Sequence, residues 1–162
     1  MQNPNPIIFE TQKIQRIPKE SDFDDNIEDE IDEIEIFEML RNIVDPEHPL
    51  SLEELNVITL DGIKVFNKDN YVLVNFTPTI PGCTMSTLIG LSIRTKLERS
   101  LPSRFKFDVL ITKGTHNSEN DINKQVNDKE RCRAALEQPH LLQIVNDCIR
   151  PSLQNQTKKK RK

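Results

Sequence analysis

The sequence predicts a small single α+β domain, its helices packed on one mostly antiparallel sheet of three to four strands. Three observations carry this. Apolar residues recur at helical spacing from Ile31 to Val44 and again after each strand-like run. Short runs rich in β-branched and aromatic residues fill the middle of the chain, separated by Asp-Gly and Asn-rich turns. The order helix, strands, helix, strand, helices fits helices laid on a single sheet. The apolar share, 35% of 162 residues, builds one modest core and not two.

Ile31, Ile34, Phe37, Leu40 and Val44 predict an amphipathic first helix that ends by Asp45-Pro46, because a residue before proline resists helical geometry. Leu50 to Leu60 reads as one helical turn opening at Ser51, then extended chain. Asp61-Gly62 is a turn, Ile63–Phe66 a strand, and Asn67–Asn70 a second turn. Tyr71–Phe76 is the clearest strand, and Pro78 and Pro81 stop it. Met85, Leu88, Ile89, Ser92, Ile93, Lys96 and Leu97 mark a helix from about Thr84 to Ser100, with Thr84 or Ser86 as its cap. Phe105–Ile111 is a further strand. Lys113 to Asp128 reads as a polar loop, and Asn127 with Glu130 as a capping box for a short helix to Glu137. Pro139 opens the last helix, through Leu141, Leu142, Val145 and Ile149.

Charge divides the chain into an acidic, disordered segment at residues 1–29, the folded domain at 30–150 and a basic tail at 151–162. The acids crowd between Glu20 and Glu38, and the chain closes on Lys158-Lys159-Lys160-Arg161-Lys162, which reads either as a solubilising tail or as a nuclear-import signal. A net charge of −4 argues against nucleic-acid binding by bulk electrostatics. No apolar run approaches the roughly 20 residues that span a bilayer, and the opening MQNPNPIIFETQK does not read as a secretory signal. Three cysteines with no paired spacing fit neither a disulfide framework nor a self-contained zinc site. A reducing compartment, cytosol or nucleus, follows.

Cys83 is the residue with the most chemistry. Pro81-Gly82 bends the chain out of the preceding strand, so the thiol falls at or just before a helix amino terminus. Free amide groups and the helix dipole favour a thiolate there, below the ordinary pKa of about 8.5. Cys83 therefore reads as a nucleophile or a soft-metal ligand, against the alternative of a small buried hydrophobe. Cys132 and Cys148 read as structural. His116, at the end of a strand in Gly114-Thr115-His116, could pair with Cys83, but no triad or oxyanion signature accompanies it.

Several runs together resemble the cytosolic iron–sulfur assembly component 2 family, also called the FAM-ninety-six or MMS-nineteen-interacting protein family. They are Asp45-Pro46-Glu47-His48-Pro49-Leu50 with Leu52-Glu53-Glu54-Leu55-Asn56-Val57, Phe76 through Cys83 to Ile93, Arg99-Ser100-Leu101-Pro102, and Gly114-Thr115-His116 with Ile122–Gln125 and Asn127–Arg131. The resemblance covers roughly Ile34 to Cys148. It implies a non-enzymatic adaptor of the cytosolic iron–sulfur targeting complex, which binds a WD-repeat propeller protein and, in one branch, a large HEAT-repeat protein. The complex delivers 4Fe–4S clusters to cytosolic and nuclear apoproteins, with an indirect role in chromosome segregation and DNA metabolism. It implies no stably bound cofactor, only a transient cluster or iron; the charge balance and the lack of a long apolar run add no direct nucleic-acid partner and no membrane.

The family's reactive cysteine falls on Cys83, which would be the thiol of cluster transfer and a transient metal ligand. Asp45, Glu47, Thr79, Gly82, Thr84, Thr115 and His116 are the residues expected to flank it. One departure is Gly82, where animal members carry histidine, so no role of that histidine carries over. His48-Pro49-Leu50 and Asn56-Val57 look like the branch serving nuclear enzymes, while Asp121–Gln125 and Asn127-Asp128 look like the other branch; Asn5-Pro6-Ile7-Ile8-Phe9 places the resemblance closer to the first. An exposed strand edge would admit a homodimer. Two rival functions remain at this stage: a stand-alone cysteine-dependent enzyme using Cys83, and a chromatin module acting through the basic tail.

Overall fold

The computed structural model describes residues 7–11, 30–46, 48–79 and 85–160. Asp32 opens α1 (Glu33–Leu40), its carboxylate accepting from the Glu35 amide at 2.8 Å. Ile36, Phe37 and Leu40 carry the buried face. The helix is shorter than the Ile31–Val44 spacing predicts. Ile31 is buried ahead of it, its backbone paired with the Asn67 side chain. Val44 lies beyond it, bridged to Ser51 and donating its amide to the Cys148 carbonyl at 2.9 Å. Both ends of the periodic stretch thus have partners outside the helix, and the partners decide the backbone. Arg41, just past the helix, forks onto the Glu53 carboxylate through two 2.8 Å bonds and fixes the next turn.

That turn opens at Ser51 as predicted, with a reciprocal cap: Ser51 Oγ accepts from the Glu54 amide at 3.2 Å, and Glu54 Oε1 accepts from Ser51 Oγ at 3.0 Å. The half that follows, read as extended, bends instead. Asn56 takes a φ of 55°, and Val57 and Ile58 drop into the core. A single 3-10 turn at Leu60–Gly62 then leads into β1 (Ile63–Phe66).

β1 pairs antiparallel with β2 (Tyr71–Phe76), with Ile63 opposite Val74. The connecting turn ends at Asn70, whose φ is 48°. Along β2 alternate residues Val72, Val74 and Phe76 point into the core. β3 (Lys106–Ile111) pairs parallel with β2 from Tyr71–Lys106 to Phe76–Ile111, giving the order β1-β2-β3. The sheet is therefore mixed, where a mostly antiparallel one is predicted. The cause is α2 (Ser86–Ser100): its 15 residues carry the chain back along the sheet, so β3 starts at the same end as β2.

α2 is buried on almost every side. Ile89, Ile93 and Leu97 join the sheet core, and the buried hydroxyls of Ser92 and Thr95 donate to the carbonyls of Leu88 and Leu91 one turn back, each at 2.8 Å. Leu91 meets Cys132, Val145 and Ile149 in a second cluster, formed with α4 (Lys129–Glu137) and α5 (Pro139–Lys160). Among the described residues no helix is long and apolar enough to cross a membrane.

The predicted polar loop contains a helix, α3 (Glu119–Asn127). Ile122 and Val126, one turn apart, are its buried stripe. Asn127 does not cap the next helix. Asp128 does, accepting from the Glu130 and Arg131 amides. Asn127 serves the sheet instead. Its Oδ1 accepts from the Val109 amide at 3.0 Å, and its Nδ2 donates to the Val109 carbonyl at 2.9 Å. Asn123, one turn earlier, accepts from the Ile111 amide at 2.8 Å. On the opposite edge Glu33 accepts from the Val65 amide at 3.3 Å. At these positions side chains occupy the edges that the sequence leaves open for a dimer.

Two predictions follow from the packing. A Cβ on Gly90 would sit 2.9 Å from Val126 Cγ2 and 3.3 Å from Phe76 Cζ. Glycine costs a helix about 1 kcal/mol relative to alanine, but overpacking a core costs about 1–3 kcal/mol. Gly90→Ala is therefore expected to lower stability by up to about 2 kcal/mol in urea unfolding, and a gain in stability would refute the close approach.

Tyr71 is the chain's one tyrosine, and tryptophan is absent. Burial first, then the hydrogen bond and charge of Asp108 (hydroxyl to Oδ2, 2.6 Å), push its pKa from 10.0 up to about 12. A raised pKa stabilises the fold fully below 10.0, and that contribution is lost as pH climbs towards about 12. Tyrosinate absorbance of the folded chain should rise well above pH 10.0, and Asp108→Asn should bring the midpoint down. A folded midpoint at the unfolded value would contradict the Tyr71–Asp108 bond.

Candidate functional site

The parallel pairing puts the carboxyl ends of β2 and β3 side by side. Thr77 and Thr112, each the first residue past its strand, join through their hydroxyls at 2.9 Å, and the Thr112 amide donates to the Phe76 carbonyl at 2.8 Å. The Thr77 amide is held by the Val57 carbonyl. Pro78 is buried and Thr79 half-buried. Gly82, Cys83 and Thr84 lie outside the described residues, as does Glu47. The connection that carries Cys83 thus leaves from the carboxyl end of β2 and closes on the amino end of α2.

The Gly114–His116 loop belongs to the same end of the sheet. The Thr115 amide and hydroxyl both donate to the Thr112 carbonyl, and Gly114 turns the chain at a φ of 82°. Its amide is held by Glu119 Oε2 at 2.8 Å. His116 is half-buried, with Nδ1 accepting from the Ser118 amide at 2.9 Å. The Thr77–Thr112 bridge thus joins the segment that leads to Thr79 with the one that leads to Thr115 and His116.

Asp45 is held by a different set of ties. It is 6% exposed, its amide donates to the Leu50 carbonyl, and its Oδ1 accepts from the His48 amide at 3.2 Å. Its charge acts on Cys148 of α5. At the amino end of α2, Met85 stands in the capping place without a side-chain bond, and Ser86, predicted as a cap, is buried with its hydroxyl unpartnered among the described residues. Ser86 faces inward because Ile89, Gly90 and Ile93 on the same helix need that side.

The two described cysteines are both buried. Burial pushes the Cys148 thiol up to about 11; a hydrogen bond with Ser92 pulls the other way, and Asp45 and Asp147 add to the rise. Burial also raises Cys132, against the pull of Arg94, and its thiol donates to the Val126 carbonyl at 3.2 Å. Both are protonated near neutrality, the structural role that the sequence assigns them. No group of three or more His, Cys, Asp or Glu able to hold a metal occurs among the described residues. Sequence reasoning missed Thr77 and Thr112, whose one legible signal is that each follows directly on a strand.

Residues 33–111, from α1 to the end of β3, match the family described as iron-sulfur cluster assembly protein. Mouse cytosolic iron-sulfur assembly component 2B is 54% identical over 149 residues, spanning 92% of this chain and 91% of its own. The chain belongs to the cytosolic iron–sulfur assembly component 2 family. The MIP18 family protein galla-2 of Drosophila melanogaster is 53% identical, over 92% of this chain and 95% of its own length. The component 2B protein of Dictyostelium discoideum is 48% identical over 158 residues, 91% of this chain and 97% of its own. The matched region encloses the connection bearing Cys83 in this component 2 chain, together with Asp45, Glu47 and Thr79.

Limited alkylation at neutral pH should leave Cys132 and Cys148 untouched in the folded chain and modify both once it is denatured. Any label in the native state should then sit on Cys83 and vanish in Cys83→Ser. Native modification of Cys132 or Cys148 would show that their burial is wrongly described.

Proposed function

We propose that the chain is a non-enzymatic adaptor in cytosolic iron–sulfur assembly. It would hold a WD-repeat propeller protein and a large HEAT-repeat protein, and pass 4Fe–4S clusters to cytosolic and nuclear apoproteins. Its link to chromosome segregation and DNA metabolism then runs through those clients. Cys83 supplies the thiolate of the handover and ligates the cluster or iron only in transit. Thr79, Thr115 and His116 line the approach, with Asp45, Glu47, Gly82 and Thr84 as the remaining flanking residues.

The observation that carries this reading is the joined strand end, in a chain whose relatives bear the component 2B name. Cys83 is the cysteine outside the two buried, protonated ones, on a connection anchored at both ends by regular structure. As a thiolate, Cys83 would exchange a ligand with a partner. The test is a paired affinity purification of the wild-type chain and Cys83→Ser with mass spectrometry, followed by iron analysis of the co-purified clients. Both forms are expected to retain the WD-repeat and HEAT-repeat proteins, and only the wild type to support clusters in clients. If neither form retains such partners the adaptor reading fails, and turnover of a substrate by Cys83 becomes the function to assay.

A further inference from the structure

At the other end of the sheet, where β2 and β3 begin with Tyr71 and Lys106, a cavity of about 490 Å³ opens beside the last turns of α2. Small-molecule sites run from roughly 300 to 1,000 Å³. Arg94 forms part of the wall and is 3% exposed. Its guanidinium lies over the Phe107 ring, 4.9 Å from the centroid. Its Nε and Nη1 atoms find no hydrogen-bond partner among the described residues. Glu98, one turn on, approaches Nε only to 3.5 Å and is 47% exposed, so it neutralises the cation weakly and leaves the donors unspent. A buried guanidinium is normally paired, because desolvated donors without acceptors are costly.

The surroundings select the partner. Exposed Lys106 and Lys129 stand at the cavity with Arg94, and Glu98 and Asp108 are its acids. Asp108 is already engaged by the Tyr71 hydroxyl at 2.6 Å. Three cations against two carboxylates attract one further negative charge and oppose a second. Guanidinium N–H groups match a planar carboxylate, and Leu97 and Leu101 give its carbon chain an apolar wall. We propose that this cavity binds a carboxylate group, with Arg94 as donor and Lys106 and Lys129 supplying the field. The carboxylate is that of a small organic acid, whose carbon chain the apolar wall accommodates.

The experiment is a nuclear magnetic resonance titration of the full chain, following the Arg94 Nε–H and Tyr71 ring signals. Propionate, inorganic phosphate and chloride are compared at constant ionic strength. Saturable shifts with propionate, several-fold weaker with phosphate, are expected. Arg94→Lys should weaken the response about tenfold, the scale of one lost charge-assisted hydrogen bond. Lys106→Gln and Lys129→Gln, at exposed positions that leave the fold intact, should each weaken it by roughly two- to threefold. Silence of the wild type, or equal responses to all three anions, overturns the proposal. None of these outcomes bears on the adaptor reading, which rests on the opposite end of the sheet.

Discussion

The parallel ladder between β2 and β3 is the constraint on which the other features depend. A parallel pair needs a crossover, and α2 is the element that makes it. Once α2 lies on the sheet, the carboxyl ends of both strands face the same way, and the residues that follow them, Thr77 and Thr112, join through their hydroxyls. The amino ends meet at the opposite pole, where Tyr71, Lys106 and Arg94 converge. One pairing thus creates two poles of different chemistry, a thiol-bearing connection and a cationic cavity. Ligands commonly bind outside the carboxyl ends of parallel strands.

α2 meets the cost of its central position in its own sequence. Ser92 and Thr95 spend their hydroxyls on the carbonyls one turn back, so the helix carries polar side chains inward without leaving those hydroxyls unpaired. Gly90 lets Phe76 and Val126 approach to within ordinary side-chain contact. Arg41 and Glu53 do a comparable task for the 41–56 segment, with a forked pair in place of apolar contact.

Elements were legible where periodicity and burial agree. β2 alternates, and its bounds match the prediction. The inward stripe of α2 is readable even at Ser92 and Lys96, both almost fully buried. Pairing direction was not legible, because alternation identifies a strand but names no neighbour. α3 escaped because Ile122 and Val126 are its only buried residues and the rest are polar; tertiary contact holds that helix, not propensity. The overlong first helix fails for the same reason in reverse, since Ile31 and Val44 satisfy the spacing and are then claimed by Asn67 and Cys148. At the candidate site the placement of Cys83 after Pro81-Gly82 falls outside the described residues, and the threonine bridge depends on strand register and was not legible.

The Asn123–Asn127 pair makes α3 a substitute for a fourth strand. Two side chains one helical turn apart present acceptors to Val109 and Ile111, and Asn127 also returns a donor to Val109. The outer amides of β3 are therefore shielded only while α3 keeps its helical geometry. Unwinding α3 would release those hydrogens and uncover Ile122 and Val126 in the same event. In hydrogen exchange the last strand and the helix beside it would behave as one cooperative unit, with the strand no slower than the helix that covers it.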